Sequence, residues 1–153
     1  MENYNEKQIK LNREVTEMRE KAFNTFNNRR QELCRLKEEI GHVFEQEKKR
    51  LATQLDDVLK ERNTMRADGY SNTHKAWIEN CENERRIHTL QAENRMAFFD
   101  KARDINRRQN DNLEDYRAEK IKIADYKAER LLEIEREHQQ EKLLSLSSEK
   151  EKD

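Results

Sequence analysis

No proline occurs in this chain of 153 residues, and only two glycines, Gly41 and Gly69, interrupt it. Because proline and glycine are the residues that most strongly disfavour a helix, their scarcity predicts helices far longer than those of a globular domain. Leu, Ile, Val and Phe together supply just under a fifth of the chain, too little to fill the interior of a compact domain of this length. We therefore expect an elongated helical protein and not a globular enzyme.

The main alternative is intrinsic disorder, since charged residues make up 42% of the chain and few apolar residues oppose them. Two features favour a helix. The 32 basic residues balance the 33 acidic ones, and apolar residues recur with an eleven-residue period, which suits a straight or slightly right-handed helix. Stripes this narrow need partner helices to bury them. The series is Leu11, Ala22, Leu33, Phe44 and Leu55 in the first half, and Phe99, Ile121, Leu132 and Leu143 in the second, where it is broken at Asn110.

One strong interruption divides the chain, at residues 67–73. Gly69 suits the left-handed position after a helix, and Ser71, Asn72 and Thr73 are all good residues to cap a new one. We therefore predict an all-α fold in which two long helices form an elongated antiparallel helical hairpin or coiled coil. Its expected parts are helix 1 over residues 1–68, a turn at 69–73, helix 2 over 74–145 and a disordered polar tail at 146–153. A single helix running through Gly69 is the alternative, and Gly41 is read as an interior glycine where another backbone could come close.

A hairpin that turns at residue 70 makes residues face each other when their numbers sum to about 140. This register brings many of the bulky apolar residues of the two helices together, including the largest aromatic side chains. The predicted contacts are Phe44 with Met96 and Phe98, Phe26 with Leu113 and Tyr116, Leu33 with Ile105, Leu51 with Leu90, and Met18 with Ile121.

The residues most suggestive of a metal site are His74, Cys81 and His88, which recur every seven positions with Glu84 between the last two. Seven residues of helix rise about 10 Å, whereas zinc ligands all lie within about 2.3 Å of the metal. A site shared by Glu84, His88 and another chain is the open alternative. The sequence also lacks a nucleophile with its base, a phosphate-binding loop and a zinc-protease motif, so we expect no catalytic residue, no cofactor and no metal. Cys34 and Cys81 are expected to be reduced packing residues.

The segment from Arg95 to Arg108 is the strongest candidate for binding a partner. Its apolar residues Met96, Phe98 and Phe99 cover a wider arc of a helix than one seam needs, and arginine beside aromatic residues is typical of binding hot spots. The same apolar residues would also be explained by a hairpin core that is locally thick around Phe44. The docking site and the thick core both stay open as interpretations. The basic residues of this predicted site are Arg95, Lys101, Arg103, Arg107 and Arg108.

Trp77, beside the predicted turn, either closes the end of the apolar seam or serves as a second docking anchor whose indole N–H is free to bond.

The distribution of charge limits the partners. Neither half of the chain has the basic excess of a protein that binds nucleic acid or an anionic membrane, and the longest apolar runs are far too short to span a membrane. The acidic residues Glu2 and Glu6 near the N-terminus fit neither a secretory signal nor a transit peptide. We therefore expect a cytoplasmic protein whose partners are other proteins, bound through the faces of its helices, with self-association as a further possibility.

The proline-free pattern rich in Glu, Lys and Arg, well seen over residues 125–136, resembles coiled-coil proteins that line or bind cytoskeletal filaments, including ciliary microtubule-associated proteins. The resemblance implies a structural, non-enzymatic role in which the chain lies along a lattice, bridges its subunits and contacts tubulin or other coiled-coil proteins at the cytoskeleton or cilium. The alternative is a helical adaptor or regulatory subunit that docks on a single protein complex.

Overall fold

The computed structural model describes residues 3–152, and the side chains as far as residue 150. Two helices account for nearly all of these residues, α1 over Tyr4–Ala67 and α2 over Lys75–Lys152, and no strand occurs in the described part of the chain. The helices pack against each other as an antiparallel hairpin, as the sequence predicts. We call the contact between α1 and α2 the seam.

The first helix begins with a capping box. The Asn3 side-chain oxygen accepts the backbone N–H of Glu6 at 2.8 Å, and the Glu6 carboxylate accepts the backbone N–H of Asn3 at 3.3 Å. Both bonds satisfy N–H groups that the first turn of a helix leaves without a partner. The helix therefore starts at Tyr4, and the first two residues of the predicted helix lie outside the described part.

The turn confirms the role assigned to Gly69. Its φ is +86°, and its N–H donates to the carbonyl of Arg66 at 3.2 Å while the N–H of Tyr70 donates to that of Met65 at 2.9 Å. These two bonds form the Schellman motif, which ends a helix on a residue in the left-handed conformation. A continuous helix through Gly69 is therefore excluded.

The second helix differs from its predicted bounds at both ends. It begins at Lys75, one residue later than expected, and the backbone carbonyl of His74 accepts the N–H of Ile78 at 3.1 Å. The side chain of His74 stays in the turn, where its Nδ1 atom accepts the backbone N–H of Ser71 at 2.9 Å. It continues to Lys152 rather than ending at Ser145, so the prediction of a disordered tail is wrong up to that residue, and Asp153 lies outside the described part. No proline or glycine follows Ser145 to break the backbone hydrogen bonds of the helix.

Residues 3–31 and 110–152 form one compact unit, with its own core. Leu11 and Val15 of α1 are buried there against Ile123 and Ile134 of α2. The ring of Phe26 stacks on that of Tyr116, with centroids 4.6 Å apart. The side chains packed around this core are Tyr4, Met18, Ala22, Tyr126 and Leu131.

Residues 32–109 form the second compact unit. Leu51, Val58 and Ile87 are buried together, and Leu55 and Leu90 pack against them. Leu33 and Ile105 are also buried, and Phe44 stacks on Phe98 with ring centroids 4.7 Å apart.

The predicted register is confirmed at its aromatic pairs, Phe44 with Phe98 and Phe26 with Tyr116, and Leu90 packs against the cluster that contains Leu51. The prediction is wrong for three other residues that it placed in the seam, because their side chains are exposed: Met96, Leu113 and Ile121. Ile123 takes the place of Ile121 near Met18. A displacement of two positions turns a side chain by about 200° around a helix, which moves it to the opposite face.

The same displacement affects Ile121 and Leu132 in the eleven-residue series of the second helix, whereas at Phe99 the seam residue is the preceding Phe98. Phe99, Ile121, Leu132 and Leu143 are all exposed, whereas the seam contains Asn112, Ile123 and Ile134. Gly41 also differs from its prediction, because a Cβ atom built there would meet no heavy atom within 4 Å, so no other backbone comes close to it.

Three asparagines of α2 donate hydrogen bonds across the seam to backbone carbonyls of α1. The side-chain amide of Asn80 donates to the carbonyl of Val58 at 2.9 Å, Asn94 donates to that of Phe44 at 3.3 Å, and Asn112 donates to that of Phe26 at 3.1 Å. Asn80 and Asn112 are buried. A buried amide is satisfied only in one alignment of the helices, so these contacts select the register.

Candidate protein-binding surface

The predicted binding segment is divided by the hairpin into an inner and an outer part. Phe98 lies in the seam, stacked on Phe44, whereas Met96 and Phe99 are 60% and 55% exposed. The ring of Phe99 is tilted against that of Phe98, with centroids 5.9 Å apart. The core interpretation therefore holds for Phe98, while Met96 and Phe99 lie outside the core of the hairpin.

The basic residues are divided in the same way. Arg103 and Arg107 follow Met96 and Phe99 at helical spacing, so the four side chains share one face of α2. We call these four residues the outer patch. Arg107 is held by Asp104 at 2.6 Å, whereas no ion pair of Arg103 occurs among residues 3–152.

The remaining basic residues of the predicted site lie along shallow grooves between the two helices. Lys101 and Arg108 line one of these grooves with Leu36 and Ile40 of α1, and the Arg108 guanidinium lies 3.1 Å from Asp104. Arg95 lines another groove, beside Phe44, Lys48, Gln91 and Asn94. The predicted site is therefore not one surface, and only the outer patch combines exposed apolar side chains with arginine.

Trp77 is half-buried near the turn, beneath two arginines of α1. The guanidinium carbons of Arg62 and Arg66 lie 5.9 and 5.8 Å from the centre of its ring, a geometry that favours cation–π attraction. This position fits the interpretation of Trp77 as the residue that closes the seam. Trp77 lies 19 positions before Met96 on the same helix, about 28 Å along its axis, so the structure does not bring the two together.

The residues considered for a metal are engaged in other contacts. The carboxylate of Glu84 forms an ion pair with Arg62, and its other oxygen lies 3.5 Å from Nε2 of His88. The hydrogen bond from Arg62 is the main reason that the pKa of Glu84 is lowered below its ordinary value. Within residues 3–152, no three His, Cys, Asp or Glu side chains come together as metal ligands. Cys34 and Cys81 are both free thiols.

A second group of exposed apolar residues was assigned by sequence reasoning to the wrong face. Ile121, Leu132 and Leu143 point away from the seam. Their eleven-residue spacing is the signal that identifies them, but the same spacing two positions later marks the buried face. Because both series have the same eleven-residue spacing, the spacing alone cannot show which of them packs against the other helix.

No helix in the described part of the chain has the length and apolar character needed to cross a membrane. We also compared the chain with models of known protein families, with curated proteins and with solved structures, and none of the three comparisons found a match.

Proposed function

We propose that this protein is a non-enzymatic structural coiled-coil protein that lies along a larger assembly and bridges its subunits. The single observation that carries this proposal is the exposure of Met96 and Phe99 beside a seam that is complete without them. Full burial of an exposed Met or Phe side chain contributes about 1.5 to 3 kcal/mol. Because Met96 and Phe99 are 60% and 55% exposed in the hairpin, a partner that covers them gains roughly half of that from each.

The chemistry of the outer patch defines the partner surface. Phe99 and Met96 require an apolar pocket, and Arg103 and Arg107 at its edge favour acidic side chains around that pocket. The compositional resemblance to proteins of cytoskeletal filaments makes a microtubule or axonemal lattice the first assembly to test, with tubulin or another coiled-coil protein in contact with the patch.

A helical adaptor that docks on a single complex is the second candidate. It is favoured by the concentration of exposed aromatic and basic residues in one patch of residues 32–109. The two functions predict different stoichiometries, because a lattice protein saturates at a fixed ratio to the filament subunit, whereas an adaptor saturates at a fixed ratio to one complex.

The experiment is co-sedimentation of the full chain with polymerised microtubules, comparing Phe99→Ala with Phe98→Ala. We expect Phe99→Ala to weaken binding about 30-fold, which corresponds to about 2 kcal/mol, and to leave the melting temperature unchanged. Phe98→Ala should lower the melting temperature, because its ring is stacked in the seam. Phe23→Ala is the matched control, since this residue is also about half exposed but lies on α1.

Two results would count against the proposal. If the native chain stays in the supernatant, it does not bind microtubules, and the microtubule lattice is excluded as its assembly. If Phe99→Ala binds as tightly as Phe23→Ala, the outer patch is not the binding site.

A further inference from the structure

In the unit formed by residues 3–31 and 110–152, α2 has a second apolar face opposite the seam. Ile121, Leu132 and Leu143 are 62%, 57% and 65% exposed and recur every eleven residues. Eleven residues make three turns plus about 20°, so the three side chains stay on one face. We call these three residues the outer stripe. The seam residues Ile123 and Ile134 follow its first two members by two positions, about 200° around the helix.

We propose that a second copy of this chain covers the outer stripe, with the two α2 helices packed antiparallel about a twofold axis at Leu132. In this arrangement the numbers of facing residues sum to 264. Leu132 meets Leu132 of the second copy, and Ile121 meets Leu143 of the second copy. The equal spacing on both sides of Leu132 is what a twofold axis requires, since each copy must present the same surface to the other.

The charges at the two ends of this face complement each other in the same register. Glu114 faces Lys150 of the second copy, and symmetry produces this pair twice, whereas Glu129 faces Glu135 of the second copy and has Arg136 only as the next residue along. The side chains of Glu114 and Lys150 are exposed, and neither has an ion pair among the described residues of its own chain. A parallel pairing in register would instead set Glu114 against Glu114 and Lys150 against Lys150. The charges therefore favour the antiparallel arrangement.

The area of the contact agrees with a weak dimer. The overlap from Glu114 to Lys150 is about 54 Å long at 1.5 Å per residue. A helix about 10 Å wide then buries on the order of 1,000 Å² over the two copies, near the lower limit for a specific interface. We expect a dissociation constant of about 1 to 100 µM, because few large apolar side chains contribute from each copy.

Sedimentation equilibrium of the purified full chain from about 1 to 200 µM tests the dimer in the absence of any other protein. Its outcome is therefore independent of filament binding. Leu132→Glu should weaken self-association at least 100-fold, because the twofold axis brings two buried carboxylates together. Ile9→Glu is the matched control, since Ile9 is 59% exposed but lies on α1, and it should change self-association less than twofold.

Disulfide cross-linking tests the orientation after Cys34 and Cys81 have been replaced by serine. Leu132→Cys alone should form a covalent dimer on mild oxidation. Ile121→Cys alone should not, but it should form one when mixed with Leu143→Cys. Circular dichroism of each variant establishes that the helices remain folded.

Three results would overturn the proposal. If the native chain is monomeric at about 200 µM, the proposed dimer does not form. If Leu132→Glu and Ile9→Glu weaken self-association equally, the outer stripe is not the dimer interface. Efficient cross-linking of Ile121→Cys to itself indicates parallel helices.

Discussion

Replacement of Asn80 by alanine is the most direct test of how the seam is held in register. Asn80 is 2% exposed, and its amide group makes two hydrogen bonds to α1. Its Nδ2 donates to the carbonyl of Val58 at 2.9 Å, and its Oδ1 accepts the Nε–H of Arg62 at 2.8 Å. Asn80→Ala removes both bonds and opens a small gap between the helices.

The expected loss follows from these two bonds. A neutral hydrogen bond contributes about 1 kcal/mol, and one to a charged donor contributes about 1.5 to 3 kcal/mol. The higher helix propensity of alanine offsets about 0.5 kcal/mol of this loss. The free energy of unfolding should therefore fall by about 2 to 3.5 kcal/mol. For a chain of this size that loss lowers the melting temperature by roughly 5 to 10 °C.

Thermal melting followed by circular dichroism measures the effect, with Asn63→Ala as the control. Asn63 lies on α1 and is exposed, so its replacement reports the gain in helix propensity alone. A loss in Asn80→Ala that stays within about 0.5 kcal/mol of the control would refute the assignment of the register to the seam asparagines.

Three further predictions use the same melting assay. Leu51→Ala should lower the free energy of unfolding by about 2 to 5 kcal/mol because Leu51 is fully buried, whereas Leu59→Ala, at an exposed position, should cost less than about 1 kcal/mol; equal losses would show that the seam is misplaced. Gly41→Ala should stabilise the chain by about 0.5 to 1 kcal/mol, since a Cβ has open space there, and Gly69→Ala should destabilise it by a similar amount because of its positive φ; the same sign at both positions would contradict this explanation. Arg62 lowers the pKa of Glu84 below its ordinary value of 4.5, so the ion pair stabilises the hairpin above that pH and the contribution is lost as the pH falls through the lowered pKa. Between pH 7 and about pH 3 the melting temperature of the native chain should therefore fall further than that of Glu84→Gln, and parallel curves would contradict the assignment.

The hairpin and its turn were predictable because their causes are local. The scarcity of helix breakers determines that both halves are helical, and Gly69 readily adopts the positive φ that ends the first helix. The approximate register was also predictable, since a turn at residue 70 allows few alignments that bring Phe44 and Phe98 together. The predicted tail was wrong for a related reason, because polarity alone does not end a helix that contains no breaker.

What the sequence by itself determined is therefore the presence of two helices, the position of the turn and the approximate pairing of the largest side chains. Only the tertiary structure decided which face of α2 meets α1, placing Ile123 in the seam and Ile121 outside it, and Phe98 inside and Phe99 outside. The physical reason is that neighbouring apolar series have the same period, so periodicity cannot choose between them. The choice comes from contacts between distant residues, such as the amide of Asn112 on the carbonyl of Phe26, which exist only when both helices are in place.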